Sequence, residues 1–487
     1  MNREILRSRF GFDGVLVSDY AAIKELIPHG YAKDEIDAAK KALIAGVDLD
    51  MMTSIYANHL SELVQEPRFM QLLDEAVWRI LMLKNKLGLF ENPYRGLEEV
   101  NTGEILTEKA KEAAVELVEK SCVLLKNNDT LPLVPNQKIA VIGPYGESPL
   151  TLGFWASVSG KPQDTVTLKE GLSRHFATDH LMFAKGYNLF DSYDGFGPLK
   201  KGMELLNGPI AEEESLMEEA YQISQKADVI VLTFGEQFLE SGEGASKAHL
   251  QISKKQQRLI KKLHELNKPI IGVLYTGRPL VITDIEKYFD SLLLVWFPGT
   301  MGGIGIANLL AGKVSPSARL SMTFPRSEGQ LPIYYAQTST GRPISTSNHS
   351  ERFVSKYIDE SNDPLFKFGA GMSYASFESQ LLRSEQKDQF IEIDYLVKNR
   401  SDVSAETVTH LYLHQEYASI VQPEKRLVSS QRIYLEANQE KQARINIPIS
   451  DLAIFDNNGN SWIEEGVYHF YLNVDGLESV TTWEYKQ

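Results

Sequence analysis

A single cysteine, Cys122, stands in the 487 residues. One thiol excludes an intrachain disulfide and any multi-cysteine metal site. It lies in the apolar run Ser121-Cys122-Val123-Leu124-Leu125, so a buried structural thiol is expected rather than a nucleophile. No apolar run approaches the roughly 18 residues of a membrane span. The start, Met1-Asn2-Arg3-Glu4-Ile5, lacks the apolar stretch of a signal peptide. Basic residues are in deficit: 50 Lys and Arg face 65 Asp and Glu, a formal charge of −15. Such a surface repels a phosphate backbone, which excludes nucleic acid as a partner and leaves neutral small molecules open. His, Cys and acidic residues nowhere recur at metal-ligand spacing, so no metal is expected. Internal repeats and low-complexity segments are also missing.

What is present is ordinary for a soluble globular chain, with 43% hydrophobic and 24% charged residues. At about 150 residues per domain the length suggests roughly three domains. Near the amino terminus Val15-Leu16-Val17, preceded by Gly14 and followed by Ser18-Asp19-Tyr20, reads as a fully buried parallel strand. A carboxylate at the carboxyl end of such a strand is where (β/α) barrels keep their chemistry. The competing reading is an Asp that caps the next helix. A helix over residues 34–45, stopped by Gly46, a second strand over 47–52, and helices over 55–64 and 69–87, stopped by Gly88, complete two βα units. A barrel needs eight strands and about 250 residues. Either another chain supplies the remainder or this is a fragment.

Asn92-Pro93-Tyr94-Arg95-Gly96 marks a boundary, and residues 107–120 read as a helical linker. Apolar strands then recur at 138–143, 228–234, 269–275 and 291–296, alternating with helical patterns at 211–226, 254–266 and 304–310. That alternation predicts an α/β open sheet with helices on both faces and its functional loops at the carboxyl ends of the strands. Residues 327–373 turn polar and irregular, a long surface connection. Beyond them, strands at 390–397, 407–414, 430–435, 442–448 and 466–474 predict a β-sandwich of about 100 residues.

One loop differs from the rest. Strand 229–234 runs into Gly235-Glu236-Gln237-Phe238-Leu239-Glu240-Ser241-Gly242-Glu243-Gly244-Ala245-Ser246-Lys247, with three glutamates and three glycines. A Glu there could donate a proton opposite Asp19, a carboxylate pair suited to glycoside hydrolysis; alternatively the loop is a solvated acidic turn. Gly299-Thr300-Met301-Gly302-Gly303-Ile304-Gly305 has neither dinucleotide spacing nor a phosphate-loop Lys, and close helix-on-sheet packing explains it. His29, ten residues past Asp19, borders the same pocket or is simply a surface loop residue.

The ordered motifs carry a resemblance. Gly11-Phe12-Asp13-Gly14 through Ser18-Asp19-Tyr20, Lys86-Leu87-Gly88-Leu89-Phe90, Val123-Leu124-Leu125-Lys126-Asn127, Gly277-Arg278-Pro279, Phe324-Pro325-Arg326 and Phe368-Gly369 with Gly371, Ser373 and Tyr374 resemble glycoside hydrolase family 3, of the bacterial β-glucosidase type, lacking most of the amino-terminal barrel. The fold this implies is multidomain α/β plus β. Residues 1–95 would be the last two βα units of a (β/α)8 barrel, 96–137 a helical linker, 138–335 an α/β sandwich, 336–376 a connecting segment and 377–487 a fibronectin type III-like β-sandwich. The resemblance implies Asp19 as nucleophile. It implies an acid/base from a Glu-x-x-Ser-Arg-like run, which falls on Glu243-Gly244-Ala245-Ser246-Lys247 and selects Glu243 over Glu240 and Glu236. Tyr20, His29, Ser246 and Lys247 are the accompanying substrate-binding candidates. Lys247 stands where Arg is usual and His249 where an acidic residue is common.

The activity implied is retaining hydrolysis of terminal β-linked glucosyl residues, or β-xylosides, with no cofactor. Expected partners are a small carbohydrate substrate and a separate chain supplying barrel strands, or a second copy, but no nucleic acid or membrane. Without the earlier strands the glycone site is incomplete, so the chain alone is expected to be inactive or weak. The other readings are a non-catalytic carbohydrate-binding module and, least favoured, a nucleotide-binding α/β protein. The cytoplasm is the favoured compartment.

Overall fold

The computed structural model describes residues 1–97, 106–156, 160–345 and 347–486. The chain divides into two units, Met1–Leu106 and Thr107–Gln487, each taken by itself.

The first unit is organised by a buried carboxylate. Asp48, 5% exposed, accepts from Arg7 Nη2 at 2.6 Å, Arg79 Nη1 at 2.9 Å and the Leu16 amide at 2.9 Å. It thereby ties the wide π-type helix Asn2–Arg9 and helix α4 (Pro67–Lys86) to two short extended stretches, where the sequence predicts strands over 15–17 and 47–52. Those stretches meet at a parallel bridge between Val17 and Leu49. The first is not fully buried as expected, Val17 being 42% exposed, and Leu49 across from it is 39% exposed. A parallel strand is covered only when strands flank it and helices lie on both faces, and within this unit each has the other alone as neighbour. Helices α1 (Ala22–Glu25), α2 (Glu35–Ala45) and α3 (Ile55–Leu63) complete it. Asp34 caps α2 by accepting from the Asp37 amide at 2.8 Å, and Gly46 ends it at φ 88°. Ile23, Leu43, Ile55, Leu63 and Phe69 form the core.

The second unit opens with helix α5 (Glu108–Ser121) and then builds a six-stranded sheet: β1 (Val123–Asn127), β2 (Ile139–Ile142), β3 (Leu181–Ala184), β4 (Val229–Gly235), β5 (Ile270–Tyr275) and β6 (Ser291–Leu294). The strand order is β1-β6-β5-β4-β2-β3, with β1 antiparallel and the other five parallel. Helix α6 (Leu168–Leu172) packs on one face with α11, and α8 and α9 lie on the other; helix α7 (Lys200–Asn207) stands in the connection after β3. Here α8 is Glu213–Ser224, α9 Lys254–His264, α10 Thr283–Glu286 and α11 Gly302–Leu310. Cys122 is fully buried, and burial pushes its thiol pKa far up, as an inert packing group requires.

A β-sandwich follows, with one sheet ordered β10-β9-β14-β15 and the other β11-β8-β7. Its strands are β7 (Phe377–Lys387), β8 (Phe390–Asn399), β9 (Ala405–Gln415), β10 (Arg426–Leu435), β11 (Glu440–Pro448), β14 (Gly466–Val474) and β15 (Leu477–Tyr485), with the short pair β12 (Ile454–Phe455) and β13 (Ser461–Trp462) beside them. Inward residues such as Phe377, Tyr395, Leu411 and Phe470 alternate with outward polar ones. The sandwich is pinned to the sheet domain by Arg319, which lies 3.3 Å from Asp475, and by Arg432, which donates to the Lys120 carbonyl at 2.8 Å.

Candidate active site

Asp19 stands two residues past Val17, beyond the bridge to Leu49, and it is exposed. The helix-capping alternative does not describe it. Helix α1 has Ala21 at its N-cap with no side-chain cap, while Asp19 Oδ1 accepts from the Tyr20 amide at 2.7 Å. Ser18 braces the turn: its Oγ donates to the Asp19 carbonyl at 2.9 Å and accepts from the Met51 amide at 2.9 Å. Three non-glycine residues beyond the bridge, Ala21, Met52 and Ser54, sit at φ 56°, 72° and 59°. Left-handed backbone of this kind costs about 1–3 kcal/mol per residue and gathers at functional sites. Tyr20 is 63% exposed, and His29 is exposed on the turn after α1, its amide donating to the Glu25 carbonyl at 3.1 Å. Among the described residues no hydrogen bond or ion pair joins the His29 side chain to Asp19.

The loop after β4 is fixed at its base because β4 and β5 are parallel neighbours whose following residues meet. Gly235, at φ 127°, passes so close that a Cβ would lie 1.9 Å from the Tyr275 carbonyl oxygen. Glu236, 2% exposed, accepts from Thr276 Oγ1 at 2.9 Å. Its other oxygen lies 3.2 Å from Arg278 Nε and 3.3 Å from Lys247 Nζ. Tyr145 Oη donates to the Glu236 carbonyl at 2.7 Å, and burial raises the Tyr145 pKa well above its ordinary value, keeping the donor protonated. Glu240 closes a capping box, accepting from the Gln237 amide at 2.9 Å, and pairs with Lys247 at 2.9 Å.

The three glutamates therefore have different surroundings. Glu236 is a buried anchor and Glu240 a half-buried turn brace. Glu243 is exposed and, within its own unit, makes no hydrogen bond or ion pair with the described residues. Gly242 and Gly244 hold φ 104° and 72° on either side of it, a local conformation open to glycine. Ser246 is exposed. The Lys247 ammonium turns inward to Glu236 and Glu240 rather than standing free for a ligand. Sequence reasoning did not single out Arg278; its one signal was the Gly277-Arg278-Pro279 motif at the end of a neighbouring strand.

A cleft beside β2 and β3, lined by Ser148, Lys185, Asn188, Tyr193 and Asn207, carries no comparable chemistry. Its polar groups are spent on one another: Ser148 donates to Asn207 at 3.0 Å, Lys185 to the Asn207 carbonyl, and Asn188 to the Ala211 carbonyl at 2.8 Å. Among the described residues no group of three His, Cys, Asp or Glu side chains could hold a metal ion.

The sequence matches the glycosyl hydrolase family 3 C-terminal domain over residues 122–374, just over half of the chain. It also matches the N-terminal domain of that family over residues 2–83 and a fibronectin type III-like domain over 407–474. It is 34% identical over 486 residues to a periplasmic β-glucosidase of Salmonella typhimurium, covering 97% of this chain and 63% of that protein. To a β-xylosidase of Formosa agariphila it is 31% identical over 492 residues, covering 96% and 63%. A crystal structure of a β-glucosidase from Listeria innocua with isofagomine superposes at a TM-score of 0.89 with 35% identity, over 99% of this chain and 65% of that one. The chain thus spans less than two thirds of the length of these relatives.

Proposed function

The chain belongs to glycosyl hydrolase family 3, and from that premise we propose that it carries the nucleophile and the general acid/base of a retaining β-glycosidase acting on terminal β-linked glucosyl residues. Asp19 attacks the anomeric carbon while protonated Glu243 gives its proton to the leaving oxygen. Glu243 then takes a proton from water, which releases the sugar from Asp19. Both roles are carboxyl chemistry and call for no cofactor.

What supports the reading most is the state of Glu243. It is the one glutamate of its loop left exposed and unpaired within its unit, between two left-handed glycines on a loop anchored at both ends. A proton donor has to reach a substrate oxygen, which the buried Glu236 cannot do. Glycone recognition in this reading needs the earlier barrel strands, so turnover belongs to the chain together with a polypeptide that supplies them.

With those strands supplied, Asp19→Asn should abolish release from an aryl β-glucoside, by 10⁴-fold or more on the order of a lost nucleophile. Glu243→Gln should be slowed yet regain rate with azide on an activated substrate, because the anion replaces the water that Glu243 would activate. Retained turnover in Asp19→Asn, or absence of azide rescue, would sink the assignment. A β-xyloside run in parallel tests the second glycone suggested by the β-xylosidase among the relatives.

A further inference from the structure

The loop that carries Glu243 is held on both flanks by one guanidinium. Arg278 enters from the end of β5, and its Nη2 donates to the carbonyls of Glu240 and of Ala245, the latter at 2.7 Å. Those carbonyls stand on either side of Glu243 in the chain. The guanidinium is itself fixed by charge, its Nε 3.2 Å from Oε1 of the buried Glu236. That oxygen accepts no well-aligned hydrogen bond, so it holds its two cations by attraction alone. Lys247 completes the group by bridging Glu236 at 3.3 Å and Glu240 at 2.9 Å. Two carboxylates and two cations balance. The loop also lies flat on the turn that presents Arg278: a Cβ on Gly277 would stand 1.7 Å from Ser241 Oγ.

We propose that Arg278 is the positioning residue for Glu243, with Lys247 as its support; this rests on the reading of Glu243 as the general acid/base. The glycines at 242 and 244 leave that segment little stiffness of its own. Tying the carbonyls at 240 and 245 to one rigid fork removes the freedom that would otherwise blur where the carboxyl stands. A lysine could not do the same, because one ammonium cannot stand both between the two carbonyls, where Nη2 lies, and beside the Glu236 carboxylate, where Nε lies. Lys247 therefore acts on the protein rather than on sugar, which accounts for its inward ammonium.

A misplaced acid should hurt in proportion to how much the leaving group needs a proton. The test is a series of β-glucosides from 2,4-dinitrophenyl to methyl, turned over by the chain with its barrel strands supplied. Arg278→Lys and Arg278→Ala should lower kcat/KM, which reports the glycosylation step, about 100-fold on the methyl glycoside and under about 5-fold on the dinitrophenyl glycoside, which departs without protonation. Millimolar guanidinium should restore part of the Arg278→Ala rate. In the chain alone, amides 239–247 should exchange faster in Arg278→Ala while β2 and β4 keep their protection; Glu236→Gln serves as a second variant should Arg278→Ala fail to fold. Equal losses across the leaving groups, or unchanged exchange in the loop, would overturn the proposal. Glu243→Ala separates the two readings: if it shows no leaving-group dependence, both assignments fall together, and if it does while Arg278→Ala does not, only the positioning role falls.

Discussion

Burial strips His410 of the water that would solvate its imidazolium, and the nearby Arg319 guanidinium adds like-charge repulsion, so its pKa falls to about 4. The ring, 7% exposed, packs against Phe368 and Tyr412, while Arg319 is engaged by Asp475. In the unfolded chain the imidazole takes its proton near about 6.5. The unfolded state thus binds the proton first on acidification. Stability from this residue is complete above about 6.5, falls as the pH drops towards 4, and levels off below. Between pH 7 and 5 the wild type should lose about 2 kcal/mol more than His410→Gln. Urea unfolding of the sandwich at both pH values measures it, and parallel slopes would disprove it. Such residues were not legible beforehand. His410, Asp48 and Arg278 take their roles from partners far away in the chain, Arg7 and Arg79 around Asp48, Glu236 and Ala245 around Arg278, and no local spacing announces those meetings.

Elements were read more easily because their signals are local. Helix α2 was visible from Asp34 and Gly46, which cap it in the structure as well, and β4 and β5 from apolar runs that are in fact buried along their whole length. The sequence pattern does not announce β1, β3, β7 or β15 as strands. β3 is four residues long, and β7 and β15 are half-exposed edge strands whose polar faces hide their period. The glycine run that opens α11 is expected to serve packing, and it does: a Cβ on Gly303, in the first turn of the helix, would meet the Thr167 carbonyl oxygen at 2.0 Å, where α6 begins. The same substitution should therefore change sign with its surroundings. Gly303→Ala should destabilise the sheet domain by about 1–3 kcal/mol through overpacking. Gly202→Ala, inside the exposed stretch of α7 with open space around it, should stabilise by about 0.5–1 kcal/mol. Denaturant midpoints of the two variants decide it, and a shared sign would refute the argument.

For the whole molecule, a charge of −15 and the uncovered apolar surface of the first unit oppose each other. On α4 Met70, Val77, Trp78 and Leu81 are 43%, 43%, 63% and 41% exposed, while Phe69 and Ala76 turn inward. Val17 and Leu49 add the open edges of their parallel bridge. Patches of this sort mark surfaces that bind other protein, and the net charge keeps copies apart only as far as salt allows. The Debye length shrinks from about 30 Å at 0.01 M to about 8 Å at 0.15 M. Self-association of the chain should therefore rise with ionic strength, the reverse of an assembly held by charge. Trp78→Glu with Val77→Glu should suppress it without moving the unfolding of the sheet domain. If the surface is the seat of missing barrel strands, adding a polypeptide with the remaining βα units should convert the association into a one-to-one complex that no longer grows with salt. Sedimentation velocity across that salt range reads each outcome, and a chain that stays monomeric at high salt, or a double variant that associates as before, would remove the surface from consideration.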